Sequence, residues 1–179
     1  MSFPPFPVVI ERDQILRRVH ELARSLAADF PAEPPRYLVV MDGARVFADH
    51  LRRMLPGQPA YGEVRAKSYL SGTTSSGTVE VVWPREFDVT GRDVVLIEDI
   101  VDTGRTVRAL ADRLRAMGAR EVRVASLLSK PSRRVVAVDV HYLGFEIPDE
   151  FVIGFGMDVD GRYRDLPHVA VYQAELENV

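Results

Sequence analysis

The sequence predicts an α/β domain with a mostly parallel central sheet flanked by helices. Three observations predict it. Short apolar runs alternate along the chain with segments of helical spacing. The run Val94-Val95-Leu96-Ile97 has no polar alternation, as expected of a strand covered on both faces. Three of the apolar runs end in polar residues or glycine, which would gather at the carboxyl edge of such a sheet, where ligands bind.

The elements follow in order. From Ile10 to Phe30, apolar residues at Ile15, Leu16, Val19, Leu22, Ala23 and Leu26 give helical spacing, and Pro31, Pro34 and Pro35 stop the helix. Tyr37 to Met41 reads as a buried strand and is followed by Gly43. Ala44 to Leu55 reads as a helix with Val46, Phe47, Leu51 and Leu55 inward. Val64 to Tyr69 and Val79 to Trp83 read as strands joined by the small, polar stretch Leu70 to Gly77. After the strand at Val94 to Ile97, Thr106 to Met117 is helical, with Gly118 as its stop. Val122 to Leu128, Val135 to Leu143 and Phe151 to Phe155 have strand character.

A chain of 179 residues suits one domain, expected to span residues 1–179, and 46% hydrophobic content suffices for a core. A net charge of −3 gives no general case for nucleic-acid binding. No apolar run approaches the length of a membrane span, and the first residues lack a secretory pattern, so a cytoplasmic location is expected. With no cysteine, disulfides and thiolate chemistry are excluded.

The densest chemical signal is Val94 to Thr106, VVLIEDIVDTGRT. A buried strand runs into Glu98 and Asp99, then Asp102-Thr103-Gly104-Arg105-Thr106, then a helix. The last five residues can wrap a phosphate: glycine permits close approach, the threonines add hydroxyls, and the helix start supplies unpaired N–H groups. The carboxylates would repel a naked phosphate. They suit a ligand that also presents hydroxyls or a bound cation, as ribose 5-phosphate does, with Mg²⁺ offsetting the remaining charge. Taken separately, Glu-Asp also suits a solvated loop start, and Asp-Thr-Gly also suits a helix cap.

This segment resembles the phosphoribosyl pyrophosphate motif of type I phosphoribosyltransferases. The stretches Leu127 to Arg134, Gly144 to Gly154 and Tyr163 to Pro167, with Lys67-Ser68-Tyr69, are similar to the hypoxanthine-guanine phosphoribosyltransferases of that family. The resemblance covers most of the chain. It implies the type I fold, with a mobile lid over about residues 68–78 and a small purine-binding hood from the C-terminal part. The activity it implies is purine salvage, in which phosphoribosyl pyrophosphate and a 6-oxopurine (hypoxanthine or guanine) give the nucleotide and pyrophosphate. It implies Mg²⁺ as cofactor, no nucleic-acid or membrane partner, and a homodimer or homotetramer.

The resemblance also implies roles. Asp102 faces purine N7 as general base. Glu98, Asp99, Asp102, Thr103, Gly104, Arg105 and Thr106 hold the phosphoribosyl group. Lys130, a donor only, meets the 6-oxo group, Phe151 stacks on the base, and the Val152 backbone meets its edge. Glu98, Asp99 and Asp158 serve the metal. Asp42, Gly43, Ser68, Tyr69 and Arg164 attend pyrophosphate and the lid. By spacing alone, Lys130 would be a solvated lysine, Phe151 a core residue, and Asp158 and Arg164 surface charges. Arg133 and Arg134 read as solvated. Asp42 departs from the family, which usually has a basic or neutral polar residue there. In the family this loop can hold a non-proline cis peptide and offers N–H groups to pyrophosphate, so Asp42 is expected to point away. Two other readings remain: a regulatory RNA-binding protein of the same fold, and a transferase preferring xanthine.

Overall fold

The computed structural model describes residues 6–68 and 79–178. Strand β1 (Val8–Ile10) precedes helix α1 (Arg12–Asp29), β2 (Arg36–Met41) and α2 (Arg45–Met54). Strands β3 (Tyr61–Ser68), β4 (Val79–Val82) and β5 (Asp93–Val101) lead to α3 (Arg105–Ala116) and β6 (Glu121–Ser129). Then come β7 (Tyr142–Glu146), β8 (Val152–Ile153) and β9 (Val169–Val171). The main sheet runs β4-β3-β2-β5-β6-β7, parallel except for the antiparallel pair β3 and β4. The expected architecture is present.

Side-chain alternation explains the layering. Along β2 and β5, Tyr37, Val39, Met41, Val95 and Ile97 face one way and pack with α1 and α2, through Ile15, Val19, Phe47 and Leu51. Leu38, Val40, Val94 and Leu96 face the other way and pack with α3, through Val107, Leu110 and Leu114. A strand buried on both faces needs an unbroken apolar run, and these strands have one.

Three expectations change. Val135 to Leu143 is not a strand: β7 begins only at Tyr142. Val135 and Val136 instead donate their N–H groups to Thr103 O, while Val138 and Val140 pack on the α3 side of the core. Phe151 to Phe155 shrinks to the two residues of β8, because Gly154 and Phe155 adopt positive φ. Glu98 and Asp99 do not follow β5 but lie within it.

A second, three-stranded antiparallel sheet runs β1-β9-β8. Its small core holds Phe6, Ile153, Leu166 and Ala170. This hood therefore draws on the N-terminal strand as well as the C-terminal part. Among the described residues no helix is long and apolar enough to cross a membrane.

Candidate active site

The site forms where the strand order reverses. From β2 the chain steps outward to β3 on one side, and from β5 it steps to β6 and β7 on the other. The crevice between β2 and β5 is the expected ligand position in such a sheet. Pairing of β2 with β5 ends at Val39 and Ile97, whereas β5 stays paired with β6 as far as Val101 and Ser129. From Glu98 onward, β5 thus has one open edge. Its backbone there is satisfied locally: Asp99 N–H donates to Glu98 Oε1 at 3.1 Å, and Ile100 N–H to Asp99 Oδ1 at 2.7 Å.

Two cavities adjoin on this edge. The first, about 260 Å³, is lined by Glu98, Asp99, Asp102, Thr103, Gly104 and Thr106, with Gly43 among its other walls. The second, about 340 Å³, is lined by Asp42, Asp102, Lys130, Phe151, Asp158 and Arg164, with Val152 behind them. Gly43, Asp99, Ile100 and Asp102 line both. Every candidate residue from strands and loops 42–43, 98–106, 130, 151–152, 158 and 164 thus comes to one place, except Arg105, whose side chain lines neither cavity. Tyr69 and the rest of 69–78 lie outside the described residues, and Ser68 is described only as the last residue of β3.

Glu98 is 7% exposed. Burial first, then the neighbouring Asp99 charge, pushes its pKa well above the usual carboxylate value. Asp99 is raised too, by burial. Gly43 packs directly on Asp99: a Cβ at Gly43 would overlap Asp99 Oδ2. The Met41–Asp42 peptide just before it is cis.

At the start of α3, Arg108 N–H makes the first helical bond, to Gly104 O at 2.9 Å. Thr106 and Val107 therefore have no helical acceptor for their N–H groups, and these border the first cavity. Arg105 N–H leans on Thr103 Oγ1 at 3.4 Å. Gly104 has φ +83, and a Cβ there would lie 2.6 Å from Val136 O. Glycine is required by the backbone packed behind the loop, a reason the sequence did not reveal.

Lys130 is 8% exposed, so it is not the solvated lysine its spacing suggests. Its Nζ lies 3.8 Å from Asp149 Oδ1. Phe151 is 56% exposed at the cavity wall, so it is not a core residue, and its edge meets Tyr172 at 5.8 Å. Asp158 and Arg164 form an ion pair at 2.8 Å, and Asp158 Oδ2 also accepts Gly161 N–H. Asp42 borders the second cavity, with Oδ1 3.5 Å from Arg65 Nη2.

Sequence reasoning missed Arg133, Arg134 and Asp149. Arg133 Nε donates to Asp102 Oδ1 at 3.1 Å. Arg134 donates to Asp102 O at 3.0 Å and to Ser129 Oγ at 2.7 Å. These arginines are engaged rather than solvated. A pair of arginines after a proline looks like any exposed turn, so no local signal marked them.

A family model described as the phosphoribosyl transferase domain matches residues 10–160. The chain belongs to this family. Within the phosphoribosyl transferase domain family, it is 35% identical over 171 residues to hypoxanthine-guanine phosphoribosyltransferase of Streptococcus thermophilus, covering 96% of this chain and 95% of that protein. It is 37% identical over 169 residues to the bifunctional protein TilS/HprT of Listeria innocua, and spans 94% of its own length but only 26% of that protein. Its fold matches the solved structure of hypoxanthine phosphoribosyltransferase from Trypanosoma cruzi in complex with the product IMP. There the TM-score is 0.86 at 28% identity, covering 98% of each chain. For a phosphoribosyl transferase domain, the two adjoining cavities have a natural division of labour.

Among the described residues no group of three or more His, Cys, Asp or Glu converges to hold a metal ion. Glu98, Asp99 and Asp158 are therefore not a ready-made cage. They still fit Mg²⁺, which takes one or two carboxylates and completes its shell with water and substrate phosphates. The Glu98–Asp99 pair is buried, and burial disfavours ionisation of both acids.

Proposed function

We propose that this chain transfers the 5-phosphoribosyl group from phosphoribosyl pyrophosphate to N9 of hypoxanthine or guanine, giving IMP or GMP and pyrophosphate. The observation that carries the reading is the pair of cavities sharing Asp99 and Asp102: a phosphate-loop pocket with carboxylates, joined to a pocket with an exposed aromatic face and a buried ammonium. Phosphoribose fits the first and a 6-oxopurine the second, so C1′ and N9 meet at the shared wall.

In this reading the loop Thr103-Gly104-Arg105-Thr106 receives the 5-phosphate on its N–H groups and hydroxyls. Glu98 and Asp99 accept the ribose hydroxyls, which offsets the burial cost that raises both pKa values. Phe151 stacks on the purine, the Val152 backbone meets its edge, and Lys130 donates to the 6-oxo group. Arg164, held by Asp158, meets pyrophosphate, as do the backbone N–H groups at Asp42 and Gly43. As N9 attacks C1′, the bond from C1′ to pyrophosphate breaks and positive charge develops on the ribose ring. Asp102 takes the purine's N7 proton, so the base leaves neutral as part of the nucleotide. Glu98, Asp99 and Asp158 are the carboxylates that would hold Mg²⁺, which would supply positive charge against the pyrophosphate ester. The enzyme works in the cytoplasm as a homodimer or homotetramer.

The test is a spectrophotometric assay with phosphoribosyl pyrophosphate, Mg²⁺ and each of hypoxanthine, guanine, xanthine and adenine. Turnover of hypoxanthine and guanine is expected, with adenine poor. Its amino group cannot accept from Lys130, and an unpaired buried polar group costs about 1–3 kcal/mol. Adenine turned over as well as hypoxanthine would overturn the substrate assignment. Absence of turnover with all four purines would return the regulatory RNA-binding reading.

A further inference from the structure

The geometry points to Arg133 as a positioning residue for the transfer: it grips one carboxylate oxygen of Asp102 and thereby aims the other at the purine. The inference rests on Asp102 being the base proposed above.

Asp102 is held at two points by consecutive arginines. Arg134 fixes its main chain, donating to Asp102 O at 3.0 Å while anchored on Ser129 Oγ. Arg133 fixes its side chain, with Nε donating to Oδ1 at 3.1 Å. No hydrogen bond reaches Asp102 Oδ2 among the described residues, so one oxygen is tied and the other is left for a ligand proton. The guanidinium is itself braced from the far side, with Nη1 3.6 Å from Asp149 Oδ2. Asp149 in turn approaches Lys130 Nζ at 3.8 Å. A planar guanidinium spanning two carboxylates has little rotational freedom, which a single ammonium could not reproduce.

Two further facts separate this role from direct catalysis and from simple stability. Arg133 lines neither cavity, whereas Asp102 lines both, so Arg133 reaches a ligand only through Asp102. Its pair with Asp102 is also well exposed, at 47% and 39% of the two side chains, and such pairs contribute little to folding. The value of the contact is in aim. Purine N7 and O6 share one edge of the base, so Asp102 and Lys130 must be set relative to each other. Asp149 and Arg133 form the chain of charges that joins them.

The experiment measures kcat and both KM values for Arg133→Ala, Arg133→Lys, Asp102→Asn and the double variant Asp102→Asn/Arg133→Ala, with thermal unfolding as a fold check. Misplacing a reacting group by about 1 Å costs on the order of 10²-fold. Arg133→Ala is therefore expected to lower kcat by roughly 10- to 100-fold, with both KM values within about threefold and Tm unchanged. Arg133→Lys should recover part of the loss. In the Asp102→Asn background, adding Arg133→Ala should lower kcat by less than about twofold, since there is no base left to aim. Wild-type kcat in Arg133→Ala, beside an impaired Asp102→Asn, overturns this inference alone. An equal loss in both backgrounds, or a loss confined to KM, also overturns it, because Arg133 would then act elsewhere or touch a ligand. Unimpaired turnover in Asp102→Asn overturns the base assignment and this inference with it.

Discussion

In the proposed reading, the Asp102 side chain serves two neighbours, the arginine that holds one of its oxygens and a purine in the adjoining cavity. Asp102→Asn keeps the shape and the Arg133-facing oxygen but removes the proton acceptor. It should leave the fold and most nucleotide affinity intact and lower the rate by roughly 10²–10⁴. A single-turnover assay checks this, and an unchanged rate would refute the role. Asp42 poses a different question, because an acid beside pyrophosphate should repel it. The structure gives that charge a companion, Arg65, at 3.5 Å. We therefore expect Asp42→Asn to change the KM for phosphoribosyl pyrophosphate by less than about threefold, or under ~0.7 kcal/mol. Tenfold tighter apparent binding, with the purine KM unchanged, would show that the carboxylate acts on the ligand despite Arg65. The residues at 98–106 were legible as one site because strand, acids, glycine and hydroxyls sit in one continuous run, and most of them line the first cavity. Lys130 and Phe151 were not, since burial of one and exposure of the other depend on where β6 and the hood end. Arg133 and Asp149 are sixteen positions apart and meet only through the fold, so nothing local could pair them.

Among the elements, β5 and the turn into α3 do most to shape the site. The long apolar run made β5 easy to locate, but its end depended on a partner: β6 carries it to Val101 after β2 has stopped. Val135 to Val140 alternates as a strand should, yet its N–H groups at 135 and 136 are taken by Thr103 O. Periodicity reports which side chains are buried, and cannot tell a ladder from a strap laid on a loop. The strap explains Gly104, whose missing Cβ makes room for Val136 O. Gly104→Ala combines positive φ with a backbone clash and should cost roughly 1–3 kcal/mol. Urea unfolding reads this as a lower midpoint with unchanged slope. A midpoint equal to wild type would show that the strap yields freely.

For the molecule as a whole, the site and the fold pull in opposite directions. Glu98 is buried beside another acid, and its folded pKa lies above its unfolded value near ~4.3. The folded state then holds a proton that the unfolded chain has released. The stability this contributes is complete below about pH 4 and is lost as pH rises towards the folded pKa. Glu98→Gln removes the titration. In metal-free buffer its Tm should exceed wild type, and the gap should widen as pH rises above the unfolded value near ~4.3. A gain of ~1 kcal/mol would appear as roughly 2–4 °C for a chain of this size. A flat or reversed gap would show that Glu98 is compensated in the free protein. The same variant should bind phosphoribosyl pyrophosphate poorly, a cost of function traded against stability.

The hood has a consequence in time. Strand β1 pairs with β9, so Val8 and Ile10 wait for partners roughly 160 residues further along the chain. During synthesis at about 5–20 residues per second, that wait lasts on the order of 8–30 s. The main sheet needs nothing beyond β7 and can assemble first. A newborn chain would therefore complete the main sheet before the hood, with Val8 and Ile10 unpaired in the interval.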